Sequence, residues 1–372
     1  MIHSLKLKNF KCFENQLLTF KSLTLLSGLN NSGKSSVLQA LLLLRQSHQQ
    51  NLLRSVGLAL NGNLVSIGTA QDALFEGAED DLISFEITWE NGLEAKWDFN
   101  YNQKLDVLKI YESSIKPEIY HSNLFSDNFY YFAAERISHW TNSNISNSKV
   151  GQHRQLGSQG QYTPGFLSFY RDECVSKKLH HSRAESPTLA SEVEAWIGEI
   201  SPGTRINITG NFDDDVVSLG YSYKSSNFRR PQNVGFGISC ILPIVVALLA
   251  SKPGTLILVE HPEVHLHPQG QSKIGELLAL AASNGVQVIL ETHSDHILNG
   301  IRLAVNRGKI NNTDVQLHYF KREEIQGEAN VQVISPCMNP KGRIDQWPDG
   351  FFDEWGKSLE ALLEPVEQRN GV

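Results

Sequence analysis

The sequence predicts an α/β fold with a mixed central sheet, an antiparallel β region and a helical insertion. Three observations carry that expectation. Gly28–Ser35 fits G-x-x-x-x-G-K-[ST], set between a short apolar strand, Leu23 to Ser27, and an apolar helix opening at Val37. Two further apolar runs, Thr255 to Glu260 and Val286 to Leu290, have the length and continuity of strands buried on both faces of a parallel sheet. Earlier, two alternating segments meet at Glu90-Asn91-Gly92, the turn chemistry of an antiparallel hairpin.

The elements follow in order. Residues 2–10 alternate as a half-buried strand, residues 16–20 make a second, and the strand into the glycine loop is the third. Residues 61–72 read as turns around a short strand. Residues 82–89 and 93–99 form the hairpin, 105–111 adds a strand, and 128–134 reads as a buried strand followed by Glu135 and Arg136. His139 to Gln161 is poor in apolar residues and reads as a loop or boundary. Residues 164–200 look helical and carry Lys177, Lys178, His180, His181 and Arg183, either a solvated face or a contact for nucleic acid or an acidic partner. Residues 205–223 read as another hairpin, turning at Asp213–Asp215.

Composition narrows the function classes. The 372 residues are 40% hydrophobic and 20% charged, an ordinary globular balance with material for a large core. A net charge of −7 confines any nucleic-acid contact to a local patch. Cys12, Cys174, Cys240 and Cys337 show no paired spacing, which argues for a reducing, cytoplasmic setting and against a disulfide frame. The longest apolar run, Ile241 to Ala250, contains Pro243 and is about half the ~20 residues a membrane span needs, so no membrane association is expected.

The chemistry sits at the loop and at the ends of the two apolar strands. Gly28 and Gly33 let the backbone of Asn30, Asn31 and Ser32 turn its N–H groups toward phosphate oxygens, and the helix N-terminus at Ser36 adds its partial positive charge. Lys34 would reach the terminal phosphates and Ser35 would ligate Mg²⁺, so the expected ligand is ATP with Mg²⁺. Gly235, Gly237 and Ser239 precede an apolar helix and read as a second anion-binding N-terminus. Glu260, ending its strand, is the expected metal-holding carboxylate, and Glu263 is a candidate general base for water. His293 lies just past a strand end, where open sheets bind ligands. The histidines at 261, 265, 267, 293 and 296 raise the question of zinc. His261-Pro-Glu-Val-His265 is not the H-E-x-x-H helix, so capping and packing are expected instead.

Taken together, Gly28–Ser35, the VGFGIS segment, LILVEHPEVHLHP, VILETHSDHIL and the opening LKLKNFKCF resemble the ABC-type ATPases of the SMC, RecF and OLD group. Gln326 to Leu363 also looks like the C-terminal domain of unknown function of one subfamily of these small ATPases. The resemblance implies an ABC-ATPase-like P-loop NTPase head. It assigns residues 1–60 and 225–320 to the ATP-binding core, 61–135 to the antiparallel region and central strand, 136–224 to an insertion on the signature side, and 321–372 to a tail domain. It further implies a homodimer with ATP sandwiched between one subunit's phosphate loop and the other's Gly235–Ser239 segment. His293 would be its switch histidine, Gln71 would stand near the metal as the Q-loop glutamine, and Lys11 would contact nucleotide. Arg136 resembles a recurring arginine whose role the sequence does not give. In one departure, His261 stands where the family's catalytic glutamate directly follows the metal-binding acid. Either Glu263 or His261 then serves the attacking water, or turnover is slow and ATP acts mainly as a dimerisation switch. Members of the group act in phage defence, DNA repair or beside mobile elements. The expected function is therefore a slow ATPase switch controlling a separate effector protein, a nuclease or toxin, in antiviral defence. The alternative is a repair or gating ATPase that binds DNA directly. Chain length is expected to leave no room for the nuclease domain of OLD-type proteins. Trp347, Phe351, Phe352 and Trp355 would either anchor a partner or pack the tail onto the core.

Overall fold

The computed structural model describes residues 1–136, 143–144, 148–210, 216–233, 235–325 and 328–363. Its centre is a six-stranded sheet in the order Glu328–Ile334, Val315–Ile325, Leu23–Gly28, Gln287–Glu291, Leu256–Glu260, Phe129–Phe132. Five strands run parallel, and Glu328–Ile334 pairs antiparallel at one edge. The alternation of side chains sends Leu23, Leu25, Ile257, Val259, Val288 and Leu290 to one face. There they pack against the helices Phe236–Ala250, Pro268–Ser283 and Asp295–Asn306. Leu26, Leu256, Leu258, Ile289 and Phe320 point to the other face, where they meet the helix Lys34–Gln49 and a second sheet. Both faces are therefore covered, which is why these strands read as unbroken apolar runs.

The second sheet is antiparallel, in the order Phe13–Thr19, Ile2–Phe10, Leu82–Trp89, Glu94–Asn100, Val107–Ile115, Gly57–Ala59. The two opening strands thus hydrogen-bond into this sheet, not into the central one. The predicted hairpin is there, with Gly92 at φ 78° in its turn.

Several expectations need correction. The second strand begins at Phe13, because Lys11 at φ 52° closes a tight turn that pairs Phe10 with Phe13. Residues 61–72 hold turns and the start of a short helix, Ala70–Ala73, while the short strand lies earlier, at Gly57–Ala59. Residues 164–200 are not one helix. Thr163–Tyr170 and Leu189–Ile200 are separated by a loop of turns and a 3-10 turn, Lys177–Leu179, closed at its base by the antiparallel Cys174–Thr188 bridge. Its basic residues Lys177, Lys178, His180 and Arg183 stay exposed, with Lys178 donating to the Ser283 carbonyl at 3.0 Å and Arg183 pairing with Glu199 at 3.2 Å. The hairpin of Thr204–Thr209 and Val216–Tyr223 forms, and its Asp213–Asp215 turn lies outside the described residues. In the tail, Phe351 is fully buried whereas Trp355 is 74% exposed, so packing accounts for one aromatic and not the other. Among the described residues, no helix is long and apolar enough to cross a membrane.

Candidate functional site

Parallel register brings three strand ends to one edge. Glu260 stands opposite Glu291, and Glu291 opposite Leu26, two residues before the glycine loop. The loop needs its glycines. Gly28 sits at φ 143°, and a Cβ on it would lie 2.2 Å from the Phe320 carbonyl oxygen. Gly33 sits at φ 101°, where a Cβ would lie 2.6 Å from Cys12 Sγ. Asn31 takes the left-handed conformation at φ 59°, which asparagine tolerates. Ser32 Oγ donates to the Leu29 carbonyl at 2.7 Å and fixes the loop from within. The helix Lys34–Gln49 starts at Gly33 with no side-chain cap, leaving its first N–H groups facing the loop mouth.

Lys34 is 3% exposed. Its ammonium donates to the carbonyls of Gly28 and Leu29 at 3.0 and 2.7 Å and lies 3.8 Å from Glu291. Burial holds its pKa below the usual lysine value, and the Glu291 carboxylate opposes that shift. Ser35 Oγ donates to Glu291 Oε1 at 3.1 Å. Glu291 Oε2 is buried and without a hydrogen-bond partner, and burial raises the carboxyl's pKa against the pull of Ser35 and Lys34. A hydroxyl beside a carboxylate with an orphaned oxygen is a hard-oxygen donor set that fits Mg²⁺.

The carboxylate expected in that role, Glu260, ends the next strand along. Glu260 accepts from the Tyr131 hydroxyl and the Ala134 N–H, each at 3.0 Å. Glu291 is closer to Ser35 because its strand lies between those of Glu260 and the loop. Sequence reasoning passed over Glu291, Tyr131 and Ala134. Glu291 carried the same signal as Glu260, a carboxylate ending an apolar strand, but strand order is not written in the sequence.

Around this pair sit the two histidines. The His261 and His293 rings stack at 5.2 Å with planes 9° apart. Ligand atoms of His261, Glu291 and His293 lie within 4.8 Å of one another. His261 Nδ1 is 3.6 Å from Glu263 Oε1, and its Nε2 is 3.9 Å from Glu291. The Glu263 contact raises the imidazole pKa above its ordinary value, burial opposes this, and the Glu291 charge reinforces it. Burial, with Lys34 and His261 nearby, lowers that of His293. Glu263 accepts from the Thr292 hydroxyl at 2.7 Å and the His293 N–H at 2.9 Å. Burial alone would push its pKa up, but these bonds and His261 outweigh it and hold the carboxyl below the usual range. Glu263 therefore ties the His293 turn to His261, and both its oxygens are occupied.

Arg136 acquires a role. It is 7% exposed, and its guanidinium donates to the carbonyls of Ala133, Glu260, His261 and Cys240 at 2.6–3.1 Å. It staples the strand end to the helix Phe236–Ala250. At that helix's start Gly235 is exposed, whereas Gly237 is buried, its Cα so near the His265 carbonyl that a Cβ would stand 2.3 Å from the oxygen. Ser239 is 2% exposed, its hydroxyl beside buried Tyr221. Of the three expected residues here, Gly235 is exposed and Gly237 and Ser239 are buried, with Phe236 between them 48% exposed.

Other expected residues lie elsewhere. Gln71 is on the surface of the short helix Ala70–Ala73, where its side chain accepts from Gln103 at 3.2 Å. Lys11 donates to Gln39 on the loop-side helix at 2.7 Å, one residue before the Cys12 thiol that abuts Gly33. His267 caps the helix Pro268–Ser283 and His265 packs on Phe236, as capping and packing required.

Comparisons with known proteins follow this geometry. A family described as "AAA domain, putative AbiEii toxin, Type IV TA system" (AAA_21) matches residues 23–299, and a protein of unknown function family (DUF3696) matches 310–362. An OLD nuclease of Thermus scotoductus (strain ATCC 700910 / SA-01) is 23% identical over 360 residues, covering 89% of this chain and 66% of the relative. An Old nuclease of Escherichia phage P2 is 36% identical over 55 residues, 15% of this chain and 9% of the relative. The chain thus spans just under two thirds of the first relative and a small part of the second. A crystal structure of an SmcHead bound to the C-winged helix domain of ScpA superposes with TM-score 0.56 at 12% identity, covering 90% of this chain and 98% of that one, a likeness of fold. The chain belongs to the AAA_21 family over residues 23–299, with a DUF3696 C-terminus over residues 310–362.

Proposed function

We propose that this chain binds ATP with Mg²⁺ at the Lys34–Ser35–Glu291 cluster and hydrolyses it slowly. Closing as a head-to-tail dimer around two nucleotides, it switches a separate effector protein. The observation that carries the reading is the Ser35–Glu291 contact at the mouth of an uncapped helix, with Lys34 alongside. Lys34 exchanges the Gly28 and Leu29 carbonyls for phosphate oxygens. Ser35 and Glu291 hold the metal, with Glu260 behind them and set by Tyr131 and Ala134. Mg²⁺, when bound, neutralises charge on the terminal phosphates. His261 accepts the proton of the water whose oxygen attacks the γ-phosphorus as the bond to the β–γ bridging oxygen breaks. Glu263 positions His261 and His293, since both its oxygens already accept hydrogen bonds. A base whose pKa is raised keeps its proton to higher pH, which fits slow turnover. The exposed Gly235, at the start of the helix Phe236–Ala250, is the element that would cap the partner's nucleotide.

Antiviral defence is supported by the toxin–antitoxin wording of the family and the OLD nuclease relatives. The alternative, direct DNA binding, would use the exposed cluster of Lys177, Lys178, His180 and Arg183, of which Lys178 and Arg183 already hold contacts within the chain. Phosphate release from ATP with and without Mg²⁺ tests the reading. Turnover lost on chelation and in Lys34→Ala supports it, and Mg²⁺-independent or absent turnover overturns it.

A further inference from the structure

A cavity of about 410 Å³ lies beside the phosphate loop, and the loop lines only part of it. One wall is Ser27–Asn30 with Thr292 and His293. The opposite wall is Gly350–Glu354, from the C-terminal segment, with Tyr319 between them. We propose that this C-terminal turn is part of the nucleotide site and discriminates nucleoside triphosphate from diphosphate. The proposal rests on the ATP reading above and gives the tail a task within it.

The turn is anchored at one point and tense next to it. Phe351 is fully buried against Tyr319, ring centroids 5.5 Å apart, and the Tyr319 hydroxyl donates to the Asp349 carbonyl at 3.0 Å. Phe352, the next residue, sits at φ 52°, a left-handed conformation that costs a bulky side chain about 1–2 kcal/mol. Beyond it, Asp353 accepts from the Gly350 N–H at 3.0 Å and pairs with Lys357 at 3.0 Å, while Lys357 also pairs with Asp349. Three carboxylates (Asp349, Asp353, Glu354) against one ammonium (Lys357) leave this turn with a formal charge of −2.

The elements it faces are those that change with the phosphate chain. The Gly28 and Leu29 carbonyls hold Lys34 and must release it to phosphate. His293 lines the same cavity, on the loop side of it. A triphosphate brings further negative charge into a cavity whose far wall is already acidic, and a diphosphate stops short of it. Triphosphate therefore disfavours the docked turn and frees the helix Glu354–Leu363 that continues from it. That helix carries Trp355, Leu359, Leu362 and Leu363 exposed, so its release is transmitted beyond the site.

The test is hydrogen–deuterium exchange on the full chain, alone, with Mg²⁺-ADP and with a Mg²⁺-bound non-hydrolysable ATP analogue, after calorimetry has confirmed binding of both nucleotides. Amide exchange across residues 350–360 is expected to rise several-fold with the analogue and stay unchanged with ADP. The double variant Asp353→Asn, Glu354→Gln keeps the size of both side chains and is expected to bind the analogue roughly 3–10-fold more tightly, ADP affinity staying put. Equal exchange in all three states, or an equal gain for both nucleotides in the double variant, overturns the proposal and leaves the ATP site intact. Failure of either nucleotide to bind the unmodified chain overturns the ATP reading itself.

Discussion

Ser35 Oγ donates to Glu291 Oε1 at 3.1 Å, which makes Glu291, and not the neighbouring strand's Glu260, the carboxylate at the phosphate loop. Glu291→Gln keeps the size and the acceptor for Ser35 but removes the charge. Mg²⁺ affinity in the presence of nucleotide is expected to fall roughly 10–100-fold, with Glu260→Gln costing less. Titration of Mg²⁺ against a fluorescent nucleotide analogue checks the order of the two effects. A larger loss in Glu260→Gln would return the metal to the residue that sequence alone favoured.

Lys34→Ala removes two hydrogen bonds that hold the empty loop together as well as the cation that phosphate needs. Nucleotide affinity should drop by about 3 kcal/mol, roughly 100-fold, since each charge-assisted bond contributes ~1.5–3 kcal/mol. Isothermal calorimetry reads this directly, and unchanged affinity excludes the loop as the binding site.

His261 must be neutral to take a proton, and its contact with Glu263 raises its pKa above the ordinary imidazole value. Turnover should therefore rise as pH climbs through that raised pKa and be suppressed below it. In Glu263→Gln the contact is weakened, the imidazole pKa falls, and the midpoint of the pH–rate curve should move to lower pH as the rate drops. A pH-independent Glu263→Gln residual rate, with His261→Gln fully active, would instead make Glu263 the base.

Arg136→Ala leaves four buried carbonyls, those of Ala133, Cys240, Glu260 and His261, without their shared donor. Unfolding in urea should show a loss of about 3 kcal/mol or more, at the ~1–3 kcal/mol cost of each unpaired buried group after partial rehydration. Arg136→Lys should recover only part, because an ammonium cannot span four acceptors arranged for a planar fork. Full stability in Arg136→Ala would show that water serves these carbonyls instead.

What the sequence made legible was local. The glycine spacing of Gly28 and Gly33 encodes two positive φ angles and close approaches to Phe320 and Cys12, so the loop could be read from residue types alone. The Asn91–Gly92 turn worked for the same reason. What depends on strand order was not legible: nothing in VILE or LVE says which strand neighbours the loop, and that order alone separates Glu291 from Glu260. Gln71 was placed only by its position along the chain, and its side chain, on a short helix that packs at Lys11, bonds Gln103. Arg136 has only backbone acceptors, which carry no side-chain signature. The stretch from 164 to 200 looked helical by composition, but a loop of turns closed by the Cys174–Thr188 bridge interrupts it.

The central claim is a composite site closed by ATP, and light scattering of His261→Gln with Mg²⁺-ATP tests it most directly. Blocking the base should trap the closed form, giving twice the chain's mass with ATP, a single chain without it, and a single chain for Lys34→Ala in both conditions. A His261→Gln chain that binds ATP, shown by calorimetry on the same sample, and stays at single-chain mass would contradict it.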